Sequence, residues 1–242
     1  MTYCVGLRLD RGLVFMADTR TNAGVDNISV FRKMHTWEVP GDRVITVLTA
    51  GNLATTQAVV SILEERTKAP ADRSPSLIEV PSMFQAARTV GATLREVISE
   101  AADGGPKADS FAASIILGGQ IGNSAPRLFL IYPEGNFIEA GSDTPFFQIG
   151  ETKYGRPILV RAYDREMSFE AAVKLLMVSF DSTIKANLTV GLPLDVQTYE
   201  AGSLTRGENR RIGEEDPVYA QIASGWGEAL KLAFNSLPDP EL

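Results

Sequence analysis

The chain has 242 residues, enough for one sizeable core, and nothing in it demands a second domain, so 1–242 reads as a single unit. A formal charge of −7 argues against nonspecific binding to nucleic acid or to an anionic membrane, and the single Cys4 excludes an internal disulfide. His35 is the only histidine, so any zinc site or catalytic triad built on imidazole would have to use it. With no serine or cysteine nucleophile beside it in sequence, it reads as structural. No run of about 18 apolar residues and no basic-then-apolar leader is present. No glycine-rich phosphate loop appears, so no nucleotide cofactor is expected and the cytoplasm is the expected compartment.

Residues 2–19 read as a β-hairpin. Tyr3, Val5, Leu7 and Leu9 alternate on one face, Asp10-Arg11-Gly12 is a turn signal, and 13–17 form a short buried strand. A two- or three-residue turn returns Asp18 opposite a residue between Tyr3 and Val5, close to Thr2. That matters because a threonine behind an initiator methionine, once exposed, carries both a hydroxyl nucleophile and an α-amine. The amine titrates near pH 8, so close to neutrality it can accept the hydroxyl proton.

A polar loop, 21–27, leads to Phe31-Arg32-Lys33. Residues 34–39 and 44–49 form a second hairpin around Pro40-Gly41-Asp42. Ala50-Gly51-Asn52 then opens a helix over 53–67, presenting main-chain N–H groups at its start. Residues 69–79 read as a linker, Ser82 caps a helix to about 102, and Asp103-Gly104-Gly105-Pro106 ends it. Strands are expected at 111–117, 127–132 and 136–140, with 118–125 as a plain hairpin loop. Ser168 caps an apolar helix to about 187, a late strand covers 196–199, and Asp216-Pro217 starts a terminal helix to about 237. Segregated runs of strands and helices indicate an α+β fold, with antiparallel sheets covered by helices.

With Thr2, Asp18-Thr19-Arg20, Lys33 and Ala50-Gly51 in this order, the chain resembles the N-terminal nucleophile hydrolases of the proteasome β-subunit type. It is most similar in detail to the bacterial proteasome-like family called Anbu. The likeness runs through Met1-Thr2-Tyr3-Cys4-Val5, Asp18 to Val25, Phe31-Arg32-Lys33-Met34, Phe147 to Gly155 and Asn187 to Asp195, nearly the whole chain. It implies a four-layer α-β-β-α sandwich of two stacked antiparallel sheets. It also implies a threonine-type peptidase or amide hydrolase, with no metal or organic cofactor.

The resemblance assigns roles residue by residue. Thr2 would be the nucleophile after removal of Met1, with no propeptide to process. Lys33 would lower the effective pKa of its hydroxyl, Asp18 would hold the lysine, and the Gly51 N–H would receive the oxyanion. Thr21 and Asn22 would line the substrate strand, with Leu53 beside them. The expected partners are further copies of the chain, in a ring or open helix, and a peptide or protein substrate, with neither nucleic acid nor membrane. The sequence assigns no ATP-driven partner.

The chain departs from the proteasome pattern at two places. Glu151 stands where those subunits carry the serine of a Gly-Ser-Gly segment. Asn187 falls near a supporting aspartate, and Thr189 or Val190 near a supporting serine. These changes imply fewer supporting hydrogen bonds and a modest activity. The competing readings are a catalytically silent assembly protein on the same fold and a non-peptide amidase of the same class.

Overall fold

The computed structural model describes residues 2–22, 28–69, 75–102 and 108–241. The expected end of the second helix at Asp103-Gly104-Gly105-Pro106, part of the 69–79 linker and Met1 lie outside them.

The first hairpin is β1 (Tyr3–Leu9) and β2 (Gly12–Asp18). Its Asp10-Arg11 turn pairs Leu9 with Gly12 and Cys4 with Ala17, so Asp18 comes back level with Tyr3. Two further strands, β3 (Arg20–Asn22) and β4 (Ile28–Val30), pair antiparallel; β3 takes the first two residues of the loop expected over 21–27, and residues 23–27 lie outside the described ones. β5 (Met34–Val39) and β6 (Arg43–Gly51) follow as expected.

Next come α1 (Leu53–Lys68) and α2 (Met83–Ala102), then a short 3-10 turn at Ala108–Phe111. The Asn52 side chain accepts the Thr55 N–H at 3.1 Å and so fixes where α1 begins. Three strands succeed them: β7 (Ala113–Ile121), β8 (Arg127–Ile131) and β9 (Phe137–Glu139). β7 is longer than the sequence suggests, because Gly118 and Gly119 continue the ladder opposite Thr46 and Ile45. Glycine is required there. A methyl group on Gly118 would sit 2.7 Å from the Phe15 ring, and one on Gly119 would run into the Val44 carbonyl.

The remaining elements are β10 (Phe146–Gly150), α3 (Arg156–Ala162), α4 (Phe169–Ala186), β11 (Leu194–Glu200), β12 (Asn209–Ile212) and α5 (Pro217–Asn235). β10, α3 and β12 had no place in the sequence reading. α4 is capped by Ser168 and α5 by Asp216, each side chain accepting an N–H three residues on.

The strands make two five-stranded antiparallel sheets, ordered β10-β1-β2-β11-β12 and β5-β6-β7-β8-β9. Between them lies a core that includes Cys4, Phe15, Leu48, Ile116, Leu128 and Tyr199. The outer face of the second sheet packs Ile45, Val47, Ile115 and Phe129 against Leu63, Val90 and Leu94 of α1 and α2. The outer face of the first buries Tyr3, Val5 and Leu7 against Leu176 and Phe180 of α4. Four layers result, helix-sheet-sheet-helix, driven by three apolar interfaces. This is the α+β sandwich expected from the sequence.

Candidate active site

The site assembles where strand ends from both sheets meet. Thr2 immediately precedes β1, and Asp18 ends β2 directly opposite Tyr3. Asp18 Oδ1 accepts two hydrogen bonds, from the Tyr3 N–H at 2.9 Å and from Lys33 Nζ at 2.7 Å. One carboxylate oxygen therefore links the peptide bond behind Thr2 to the lysine. A second ammonium hydrogen of Lys33 goes to the Arg20 carbonyl at 2.6 Å. The Lys33 main chain is pinned to β6 by the Thr49 N–H, which donates to its carbonyl at 3.0 Å.

Both charges are out of water, with Asp18 fully buried and Lys33 4 % exposed. Burial pushes the Asp18 carboxyl above the usual carboxylate range. The Lys33 ammonium, the Tyr3 N–H and the Gly191 N–H pull it back toward the ionised form. Such a pair is stable only while both partners remain, since either charge alone would be stranded in a dry site.

A cleft of about 580 Å³ opens beside these groups, and its walls include Thr2, Thr21, Lys33, Gly51 and Leu53. Asn22 is not in its wall; it ends β3, next to Thr21, and pairs with Ile28 of β4. Five of the predicted residues thus line one cleft, and Asp18 lies behind it, bonded to Lys33. A second cavity of about 600 Å³, beneath Ser168 and Arg210, contains none of them.

Gly51 ends β6 with φ +116°, a region that L side chains rarely adopt. A side chain there would also strike the Ala112 carbonyl. Cys4, the only thiol, is buried, its S–H directed to the Thr49 carbonyl at 3.7 Å, and burial drives its pKa upward, so it is no competing nucleophile.

Two features escaped the sequence reading. His35 lines the cleft rather than serving only the core, with Glu64 also in the wall. Burial lowers its pKa, while the Glu64 charge and a hydrogen bond with the Arg32 main chain pull it back upward. The alternation of β5 could have shown that His35 and Trp37 share a face, but not that this face meets α1.

The other feature is that Glu151 and Asn187 are partners. Asn187 Nδ2 donates to Glu151 Oε2 at 3.0 Å, while the Glu151 N–H donates to the Thr2 carbonyl at 2.6 Å. Each of the two departures from the proteasome pattern thus supplies the other's partner.

Among the described residues, no group of three or more histidine, cysteine, aspartate or glutamate side chains could hold a metal, and no helix is long and apolar enough to cross a membrane.

Comparison with known proteins identifies the family and the fold. The proteasome-subunit family profile matches residues 2–196. No curated protein matches the chain. Among solved structures, Anbu (ancestral β-subunit) from Yersinia bercovieri is 48% identical with a TM-score of 0.93, covering 99% of each chain. An Anbu (Gly-1) mutant from Hyphomicrobium sp. strain MC1 is 47% identical at a TM-score of 0.93, covering 100% of both. The helical assembly of the Anbu complex from Pseudomonas aeruginosa is 43% identical at 0.91, covering 99% of this chain and 98% of that one. The chain belongs to the proteasome family and carries the N-terminal nucleophile hydrolase fold in its Anbu form.

Proposed function

We propose that the protein is an N-terminal threonine hydrolase acting on peptide or protein substrates, with Thr2 as nucleophile once Met1 has been removed. The observation that carries this reading is the buried Asp18–Lys33 pair, tied through the Tyr3 N–H to the residue that follows Thr2. A buried charge pair is a poor route to stability, so its position at the mouth of a cleft favours a chemical role.

In the first step the Thr2 hydroxyl oxygen bonds to the scissile carbonyl carbon, and its proton passes to the α-amine, directly or through a water. Two hydrogens of the Lys33 ammonium are occupied by Asp18 and Arg20, and the third serves the Thr2 oxygen, favouring its alkoxide character. The Gly51 N–H receives the oxyanion, a contact worth about 3–4 kcal/mol in enzymes where one donor has been removed. Collapse breaks the C–N bond, the amine leaves with the proton held by the α-amine, and water then hydrolyses the Thr2 ester. The substrate runs extended along Thr21 and Asn22, with Leu53 in the adjoining wall.

Self-assembly is part of the reading, supported by the helical assembly of the Pseudomonas aeruginosa relative. Action in the cytoplasm fits the lone, buried Cys4. The test is turnover of a mixed peptide library by wild type and Thr2→Ala: release of new N-termini by wild type alone supports the reading. Equal output from both variants overturns it in favour of a silent assembly protein.

A further inference from the structure

The Glu151–Asn187 pair does more than fill space. Glu151 is 8 % exposed and sits behind Gly150, whose φ of +81° folds the end of β10 against the Thr2 carbonyl. A side chain on Gly150 would collide with that carbonyl, so the approach is specific to this backbone shape. From there the Glu151 N–H reaches the Thr2 carbonyl at 2.6 Å.

The donors around the two side chains dictate their chemistry. Asn187 Oδ1 accepts from both the N–H and the hydroxyl of Thr189, at 3.0 and 2.6 Å. A main-chain N–H can only donate, so the amide must face Thr189 with its oxygen and Glu151 with its nitrogen. Residue 151 must therefore accept from Asn187, and its other oxygen accepts the Lys153 N–H at 3.1 Å. The two donors reach different oxygens of one side chain, and a carboxylate accepts both where a glutamine would set its NH2 group against one of them.

The turn that begins at Asn187 is bound to the rest of the site as well. The Leu188 carbonyl accepts from Arg20 at 3.1 Å, and the Pro193 carbonyl accepts from both the N–H and the hydroxyl of Thr19. The Gly191 N–H favours the ionised form of Asp18. One segment thus sets Thr2, Asp18 and the Arg20 carbonyl that holds Lys33 relative to one another.

We propose that Glu151 and Asn187 are positioning residues for Thr2, a carboxylate–amide pair that holds its main chain at a fixed place beside the Asp18–Lys33 pair. The proposal rests on Thr2 being the nucleophile, but the clamp itself can be read without activity.

The experiment compares wild type, Asn187→Asp, Glu151→Gln and the double variant Glu151→Gln/Asn187→Asp in the full, assembled protein. Asn187→Asp sets two carboxylates face to face. The double variant restores a partner to every donor: the glutamine amide donates to the new aspartate and accepts from Lys153, and the aspartate accepts from Thr189. Two quantities are measured, the labelling of Thr2 by a peptidyl vinyl sulfone and the hydrogen exchange of the Glu151 amide.

Misplacement of a nucleophile by about 1 Å can slow a reaction a hundredfold, so Asn187→Asp should lower the maximal labelling rate by about ten- to a hundredfold. The half-saturating probe concentration should stay nearly constant, exchange at Glu151 should quicken, and the double variant should recover both rates. Thr189→Val, which removes one of the two donors that hold Asn187 Oδ1 without adding charge, should give the same pattern more weakly and covers the case in which Asn187→Asp fails to fold. Wild-type labelling and exchange in Asn187→Asp, or no recovery in a folded double variant, overturns the proposal. If wild type itself is never labelled, the reading of Thr2 fails, and the exchange rates alone decide whether the clamp exists.

Discussion

Lys33 and Asp18 carry the clearest consequences at the scale of single residues. Lys33→Met keeps the length of the side chain but strands the Asp18 carboxylate in a dry site, and breaking a buried pair in this way destabilises by about 3–5 kcal/mol. Burial already holds the Asp18 pKa above its ordinary value, and losing the ammonium raises it further. A carboxyl with a raised folded pKa contributes stability that is present in acid and lost as pH rises through that pKa. The deficit of Lys33→Met relative to wild type should therefore grow with pH, as thermal unfolding across a pH series will show. His35 has the opposite sign. Its folded pKa lies below the ordinary 6.5, so the unfolded chain takes up the proton first, and stability falls as pH drops below about 6.5. His35→Gln should remove that step from the pH dependence of the melting temperature while leaving stability near pH 8 nearly unchanged. Gly51→Ala should abolish Thr2 labelling by a vinyl sulfone, because its φ of +116° and the Ala112 carbonyl leave no room for a methyl group without moving the oxyanion donor.

Among the secondary-structure elements, the long central strand β7 shows what sequence patterns reveal and what they hide. Its first half is a plain apolar run, but Gly118 and Gly119 read as a loop because isolated glycines usually signal one. They remain in the ladder because Phe15 of the facing sheet fills the space a side chain would occupy at Gly118. Gly118→Ala should overpack that contact and destabilise the fold by about 1–3 kcal/mol, and Phe15→Leu should relieve part of the loss, both measurable by denaturant unfolding. The elements missed outright share a cause. β12 carries Arg210 and Arg211 on an exposed edge with no apolar alternation, and α3 spans 7 residues with Pro157 in its first turn. Neither bears the periodic apolar face by which elements are recognised. The first hairpin was legible because its turn is short and its alternation regular. Asp18 could be placed beside Thr2 by counting residues, and the hydrogen bond from Tyr3 occupies that place. Lys33 and Gly51 came to the site only through family resemblance, since residues on different sheets share no local pattern. Glu151 and Asn187 could be seen singly as departures. Their pairing could not, because it links residues 36 apart across two elements.

At the scale of the whole molecule, the candidate site draws on both sheets. Thr2 and Asp18 come from the strands of one, Lys33 and Gly51 from the start and end of a hairpin in the other. The central apolar layer that holds the sheets together, with Phe15, Leu48 and Ile116 at 0 % exposure, therefore also fixes the spacing of the reacting groups. Family and fold follow from the full-length match to Anbu structures, whereas the chemistry depends on a single covalent event at the N-terminus. With Met1 in place the Thr2 nitrogen is an amide and accepts no proton; with Met1 removed it is the base the mechanism needs. The decisive measurement is the intact mass and N-terminal sequence of the native protein, before and after treatment with a peptidyl vinyl sulfone. The account predicts a chain beginning at Thr2 that gains one probe mass on that residue, an adduct absent from Thr2→Ala. Complete retention of Met1 in the native protein, or a free Thr2 that gains no adduct, would contradict it.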